Sequence, residues 1–294
     1  MLQRSLTAFV GIPILVAAVW LGAPWLTVLV LVAGVAGVWE LYRMTPANVG
    51  PLPVILGVAW VLALILGAQA ASDRNNFLII SGGVIAAGSF ASFLWFIAFY
   101  RTKGGPGPGS YLAGFCYLMG GPIYLGFFLA HALMLREIIE AGVVKFGATG
   151  LEAEPSTDPG RNWLLAVVLI TFATDTGAYL VGRAVGRRPM APNVSPNKTW
   201  EGSLGGFVSA VAAALAVGVV FDLAIPAWQQ AVIGAVVGVV AQWGDLIESK
   251  LKRIADVKDA GSIIPGHGGL LDRLDSMLLA LPAVYYLLVL VFVP

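Results

Sequence analysis

This chain carries little charge. Only 11% of its 294 residues are Asp, Glu, Lys or Arg, and 59% are hydrophobic. Soluble globular chains carry about a quarter charged residues. A water-soluble domain of this length could not hide so much apolar surface, so a bilayer must act as its solvent. Cysteine is nearly missing as well. The single Cys116 excludes an intramolecular disulfide and, inside an apolar run, reads as a small core hydrophobe. Histidine is scarce: His267 has no zinc partner, because the only other one, His131, lies in an apolar run toward the opposite membrane face. The glycine-rich stretch 104–109 lacks the GK[ST] ending of a phosphate loop and the spacing of a dinucleotide fold, so it reads as a connector. No small-x-small cleavage site follows the first apolar run, so Met1 to Trp20 reads as a membrane helix rather than a leader.

What the chain does have is apolar stretches near 20 residues long, the length that crosses a bilayer. They fall at about 6–21, 24–42, 52–71, 77–99, 111–135, 163–183, 203–221, 228–247 and 274–293. The expected fold is therefore an all-α polytopic integral membrane protein with about nine transmembrane helices. Gly120-Gly121-Pro122 should kink the fifth. Residues 1–110 are expected to serve packing and dimerisation, 111–161 to hold the fifth helix and an acidic external loop, and 162–294 to form the catalytic region. A short helix is expected from Leu133 to Val144.

Basic residues orient the chain. With a cytoplasmic N-terminus, nine spans leave only Arg74, Arg136, Lys145 and Arg161, of 17 Lys and Arg, on the outside. Two cytoplasmic loops stand out, 184–202 and 248–273. The net charge of +1 says nothing about partners, and no nucleic-acid partner is expected.

Chemistry-bearing residues concentrate after residue 162. Asp175, in Thr174-Asp175-Thr176-Gly177, lies within an apolar helix, where a carboxylate needs a cationic partner, a bound cation or a water-filled cavity. In Ser195-Pro196-Asn197-Lys198-Thr199-Trp200-Glu201-Gly202, Thr199 is placed to cap the next helix. That helix N-terminus with Lys198 reads either as an anion site or as an ordinary capped start with a snorkelling lysine. Further on, Asp245, Glu248, Ser249 and Lys252 share one helix face by their i, i+3, i+4, i+7 spacing. Asp272, Asp275 and Ser276 do likewise at the start of the last helix. Two helix ends thus offer carboxylates, with Lys252, Arg253, Lys258 and Arg273 interleaved. Oxygen ligands without thiolates suit Mg²⁺ rather than zinc. Asp259 and His267 sit among turn-forming glycines, and His267 is expected to bond a phosphate or orient the loop.

At these residues the chain resembles the phosphatidate cytidylyltransferase (CDP-diacylglycerol synthase) family. Its pattern S-x-x-K-R-x4-K-D-x-[GSA]-x5-H-G-G-x-x-D-R-x-D runs without a gap from Ser249 to Asp275. The upstream elements at 174–179 and 195–202 match too, so the likeness covers roughly residues 162–282. The resemblance implies CTP and phosphatidic acid as substrates, CDP-diacylglycerol and pyrophosphate as products, and Mg²⁺ dependence. Asp245 and Asp272 match the metal-binding aspartates. Asp175 and Asp275 would support them, and Ser195, Lys198, Thr199, Lys252 and Arg253 would bind phosphate or CTP. Lys258, Asp259, His267, Arg273 and Asp275 join Asp245 and Asp272 as catalytic candidates. A K⁺ ion and a homodimer are implied by the resemblance alone.

The expected site faces the cytoplasm at the inner membrane, because CTP is soluble and the lipid phosphate lies at headgroup level. Two other classes compete. A secondary transporter would work at the midplane and carry an inverted repeat, and none is visible. A CTP-dependent polyprenol or lipid kinase is countered by the unbroken run to Asp275.

Overall fold

The computed structural model describes residues 2–44, 51–99, 108–138, 158–223, 225–261, 263–264 and 268–292. It consists of helices α1 (Leu2–Leu21), α2 (Trp25–Met44), α3 (Pro51–Ala70), α4 (Arg74–Phe99), α5 (Pro108–Pro122), α6 (Phe128–Arg136), α7 (Pro159–Val185), α8 (Trp200–Val220), α9 (Ala227–Ile254) and α10 (Leu271–Tyr286). Two short strands, β1 (Pro189–Ala191) and β2 (Ser195–Thr199), pair antiparallel between α7 and α8. Eight of the described helical spans are long and apolar enough to cross a membrane, and Phe9–Leu21 forms a shorter apolar helix before them. Large apolar side chains such as Ile79, Phe90, Leu204 and Val219 stand exposed. Such surfaces are stable in lipid, where the helix also satisfies its own backbone.

The fifth span is interrupted where expected. α5 ends at Pro122, which has no N–H to continue the ladder, and a five-residue π-helical turn, Ile123–Phe127, follows before α6. Cys116 of α5 is exposed rather than part of the core. His131 sits fully buried in α6, with its Nδ1 2.8 Å from the Phe127 carbonyl oxygen and its ring edge-on to Phe77 and Phe127. That packing accounts for His131 without a metal. Half of the short helix expected between Leu133 and Val144 lies outside the described residues, as does most of the glycine-rich connector.

The chain divides into two compact units. One comprises Met1–Leu133 and Lys252–Arg273, the other Met134–Leu251 and Leu274–Pro294. In the first, α2, α3 and the π turn share a core of Val38, Val61, Leu64, Ile65 and Leu125. The Tyr42 hydroxyl donates to the Leu118 carbonyl at 3.2 Å, tying α2 to α5.

In the second unit α7 begins at an Asp158 cap. Its carboxylate accepts the Arg161 N–H at 3.1 Å and pairs with Arg136. On α8, Gly202, Gly206, Ala210, Ala214 and Gly218 recur every fourth residue and are all buried. A stripe of small side chains lets helix backbones approach closely in lipid: a Cβ on Gly206 would lie 2.9 Å from the Thr174 carbonyl of α7. On the other side, one on Gly238 of α9 would lie 3.1 Å from the Phe207 Cα. α8 is therefore packed between α7 and α9.

Candidate active site

In the second unit the helix pair α9 and α10 carries the acids. Asp245, Glu248 and Asp275 each offer a carboxylate oxygen within 4.8 Å of the others. Glu248 is fully buried. Its position follows from the i, i+3 spacing on α9, which points it the same way as Asp245. The approach of the two helices depends on Gly244, because a Cβ there would run into the Asp275 backbone oxygen. Replacing Gly244 with Val should therefore push α9 away from α10. We expect a loss of about 1–3 kcal/mol of stability, typical of overpacking, and a turnover loss larger than the drop in thermal midpoint alone explains. Parallel detergent melts and activity assays measure both.

Cations and hydroxyls surround these acids. Lys198, at the end of β2, forms an ion pair with Asp245, and the Ser249 hydroxyl donates to the other Asp245 oxygen at 3.3 Å. Asp175 of α7 accepts the Ser276 hydroxyl at 3.3 Å, and Asp275 accepts the Ser276 N–H at 2.7 Å. Lys198 is held by its neighbours in the hairpin. Thr199 caps α8 by accepting the Gly202 N–H at 3.1 Å, and the Glu201 carboxylate accepts the Arg187 and Arg188 amides at 3.1 and 3.2 Å. Ser195 is half-buried and opposite Ala191 in the hairpin register. Three carboxylates and no thiolate make a hard donor set. Hard oxygen donors of this kind are chemically suited to Mg²⁺.

The first unit holds the other half of the motif. Lys252 donates to Asp272 Oδ1 at 2.7 Å, with both side chains largely buried. Asp272 Oδ2 accepts two backbone amides, Gly269 at 2.8 Å and Ala260 at 3.1 Å. Gly268 takes φ +81°, a conformation that favours glycine, and its carbonyl accepts the Ile264 N–H at 3.0 Å. The Leu271 N–H, at the first residue of α10, donates to Glu40 of α2 at 2.9 Å. Lys258, Asp259, Arg253 and Arg273 are exposed, and the Arg253 guanidinium donates to the Val257 carbonyl at 3.2 Å. Asp259 lines a cavity of about 400 Å³ with Trp39, Glu40 and Arg43. His267 lies outside the described residues.

The structure thus brings together Asp245, Asp275 and Lys198, places Asp175 on Ser276, and joins Lys252 to Asp272. Asp245 and Asp272 belong to different units, and each is engaged by partners of its own. Two acids are not among the sequence candidates for the site. Glu248 is legible in the sequence only as sharing a helix face with Asp245. Glu40 falls before residue 160, where the chain carries no motif. The available signal is its own isolation, since a lone carboxylate in an apolar span needs an interior role.

These elements define a polytopic helical membrane protein with a lysine-bearing acidic site. The sequence model of the cytidylyltransferase family matches residues 2–291. A phosphatidate cytidylyltransferase of Bacillus subtilis (strain 168) is 31% identical over 290 residues, covering 99% of this chain and 98% of the relative. One from Brucella suis biovar 1 (strain 1330) is 33% identical over 283 residues, 96% of this chain and 91% of that one. One from Staphylococcus saprophyticus is 42% identical over 130 residues, 44% of this chain and half of the relative. The chain belongs to the cytidylyltransferase family, and it is a nucleotidyltransferase.

Proposed function

We propose that this protein transfers CMP from CTP to phosphatidic acid, forming CDP-diacylglycerol and pyrophosphate. It would do so at the cytoplasmic face of the inner membrane, with its N-terminus cytoplasmic and its nine spans assembled as a homodimer. The observation that carries the reading is the clustering of Asp245, Glu248 and Asp275 beside Lys198. Acids that would repel an anionic substrate are useful where a divalent cation sits between protein and triphosphate.

The attacking group is a phosphate monoester oxygen, already ionised near neutral pH. The protein therefore needs no strong general base, which agrees with a site of carboxylates, serines and cations. Its task is to bring two polyanions together. Asp245, Glu248 and Asp275 would hold Mg²⁺, with Asp272 as the second aspartate implied by the resemblance and Asp175 in support. When bound, Mg²⁺ supplies charge neutralisation at the phosphates. Lys198, which pairs with Asp245, would exchange that partner for a substrate phosphate. Lys252, Arg253, Lys258 and Arg273 would offset charge on the phosphates and on departing pyrophosphate. A K⁺ ion is a further proposal from the resemblance.

The purified protein, incubated with CTP, Mg²⁺ and phosphatidic acid in mixed micelles, should release pyrophosphate in step with CDP-diacylglycerol. Release of CDP with a phosphorylated lipid would mean a kinase. Absence of both products at every divalent concentration tested would remove the reading.

A further inference from the structure

Glu40 is a carboxylate in the second membrane helix, only 1% exposed. It comes from the part of the chain without motifs, yet it reaches Leu271, Gly261 and Gly269, all within the motif loop and the helix start that follows it. Its Oε2 accepts the Leu271 N–H at 2.9 Å. Its Oε1 lies against Gly261, where a Cβ would find Glu40's own Oε1, Cδ and Cγ as its three nearest atoms. A Cβ on Gly269 would lie 2.7 Å from Oε2. The carboxylate thus occupies the space that side chains at 261 and 269 would need. It is also interleaved with Asp272, which takes the neighbouring amides of Ala260 and Gly269 while Glu40 takes that of Leu271. Two acids from distant parts of the chain therefore share the backbone donors around one turn.

We propose that Glu40 is a positioning residue for the transfer. By holding the first amide of α10 and filling the room left by Gly261 and Gly269, it sets where Asp272 stands and how the backbone at Ala260–Gly261 and Gly268–Gly269 is placed. This rests on the proposed transferase activity. The physical reason is register: α10 could start a residue earlier or later at little cost to its apolar face. A buried carboxylate that accepts the Leu271 amide, with the amides of Leu270 and Ile263 also directed at it, favours the start that keeps these donors on it, since leaving it unpaired is expensive.

The test compares Glu40→Ala, Glu40→Gln and Gly261→Ala in the full-length protein. Misplacing a reacting group by about 1 Å costs on the order of a hundredfold. Glu40→Ala should lower kcat by about that factor, with the KM for CTP changing less than about threefold. Glu40→Gln, whose amide oxygen still accepts from Leu271, should recover to within about tenfold of the parent. Gly261→Ala should lower kcat alone, with little further loss in the Glu40→Ala background, because the atoms it strikes are gone. Hydrogen exchange gives a readout separate from activity: the amides of Ala260, Gly269 and Leu271 should exchange at least tenfold faster in Glu40→Ala. Unchanged exchange, an undiminished kcat in Glu40→Ala, or equal losses for Ala and Gln would each overturn the proposal. If Glu40→Ala does not fold, exchange and kcat in Glu40→Gln and Gly261→Ala decide it. If the parent makes no CDP-diacylglycerol, the transferase reading fails, while the exchange arm still decides whether Glu40 holds the loop.

Discussion

Asp245→Asn is expected to lower CDP-diacylglycerol formation by about a thousandfold while the protein remains folded in detergent. Metal-assisted charge stabilisation supplies several kcal/mol, and about 4 kcal/mol corresponds to about a thousandfold at 1.36 kcal/mol per tenfold. The substitution keeps the shape, and an amide oxygen can still accept the Ser249 hydroxyl. What it removes is a negative ligand and the partner of Lys198. That ion pair is part-exposed, at 25% and 31% of side-chain area, so its loss costs stability little. Rates across an Mg²⁺ titration, beside a melting curve, separate the two effects. A variant turning over within tenfold of the parent would take Asp245 out of the metal set. The same titration with chelator should abolish turnover in the parent reversibly.

Asp272→Asn should fail differently, losing both turnover and stability. Its carboxylate pairs with Lys252 at 2.7 Å, and the two side chains are 9% and 13% exposed. With the Asn oxygen in the place of Oδ2, the amide nitrogen would face the ammonium, donor against donor. Breaking a buried pair from one side costs about 3–5 kcal/mol, and partial exposure puts this case near the lower end. The two amide donors to Oδ2 can still be satisfied by the Asn oxygen, so the turn should survive. Pairing the variant with Lys252→Met should restore part of the melting temperature, since the stranded charge is gone, but none of the turnover. If the double variant melts no higher than Asp272→Asn, the ion pair is not what Asp272 contributes to stability.

The two aspartates thus carry different weights, although the motif presents them alike. Asp245 lies among other acids, with the hydroxyl of Ser249 and a lysine from a hairpin as neighbours. Asp272 is committed to a lysine and two backbone amides. An acid surrounded by acids is costly without a cation; an acid that organises a turn is stabilising without one. The sequence shows both as helix-end carboxylates and contains nothing that separates them.

Helix positions are legible to within a few residues because hydropathy and span length are local properties. The largest departures lie at polar ends. Hydropathy predicts an end to α9 near residue 247, and the helix runs to Ile254. The apolar run stops at the first cluster of charges, but backbone hydrogen bonding does not, and Lys252 and Arg253 in the last turn suit the helix C-terminus. The hairpin at 189–199 reads in the sequence only as a loop. Its strands are short, and three prolines within it hide any alternation of apolar residues.

By itself the sequence determined the membrane class, the helical spans, and the motif from Ser249 to Asp275. Composition and spacing along one chain are enough for each of these. Only the tertiary structure decided which acids are neighbours. It joined Glu40 to Leu271 across 231 residues of sequence and brought Asp275 beside Asp245 and Glu248 through the gap left by Gly244. Charge in an apolar span demands a partner, but the partner's identity follows from which helices approach, and small residues at the contacts set that approach.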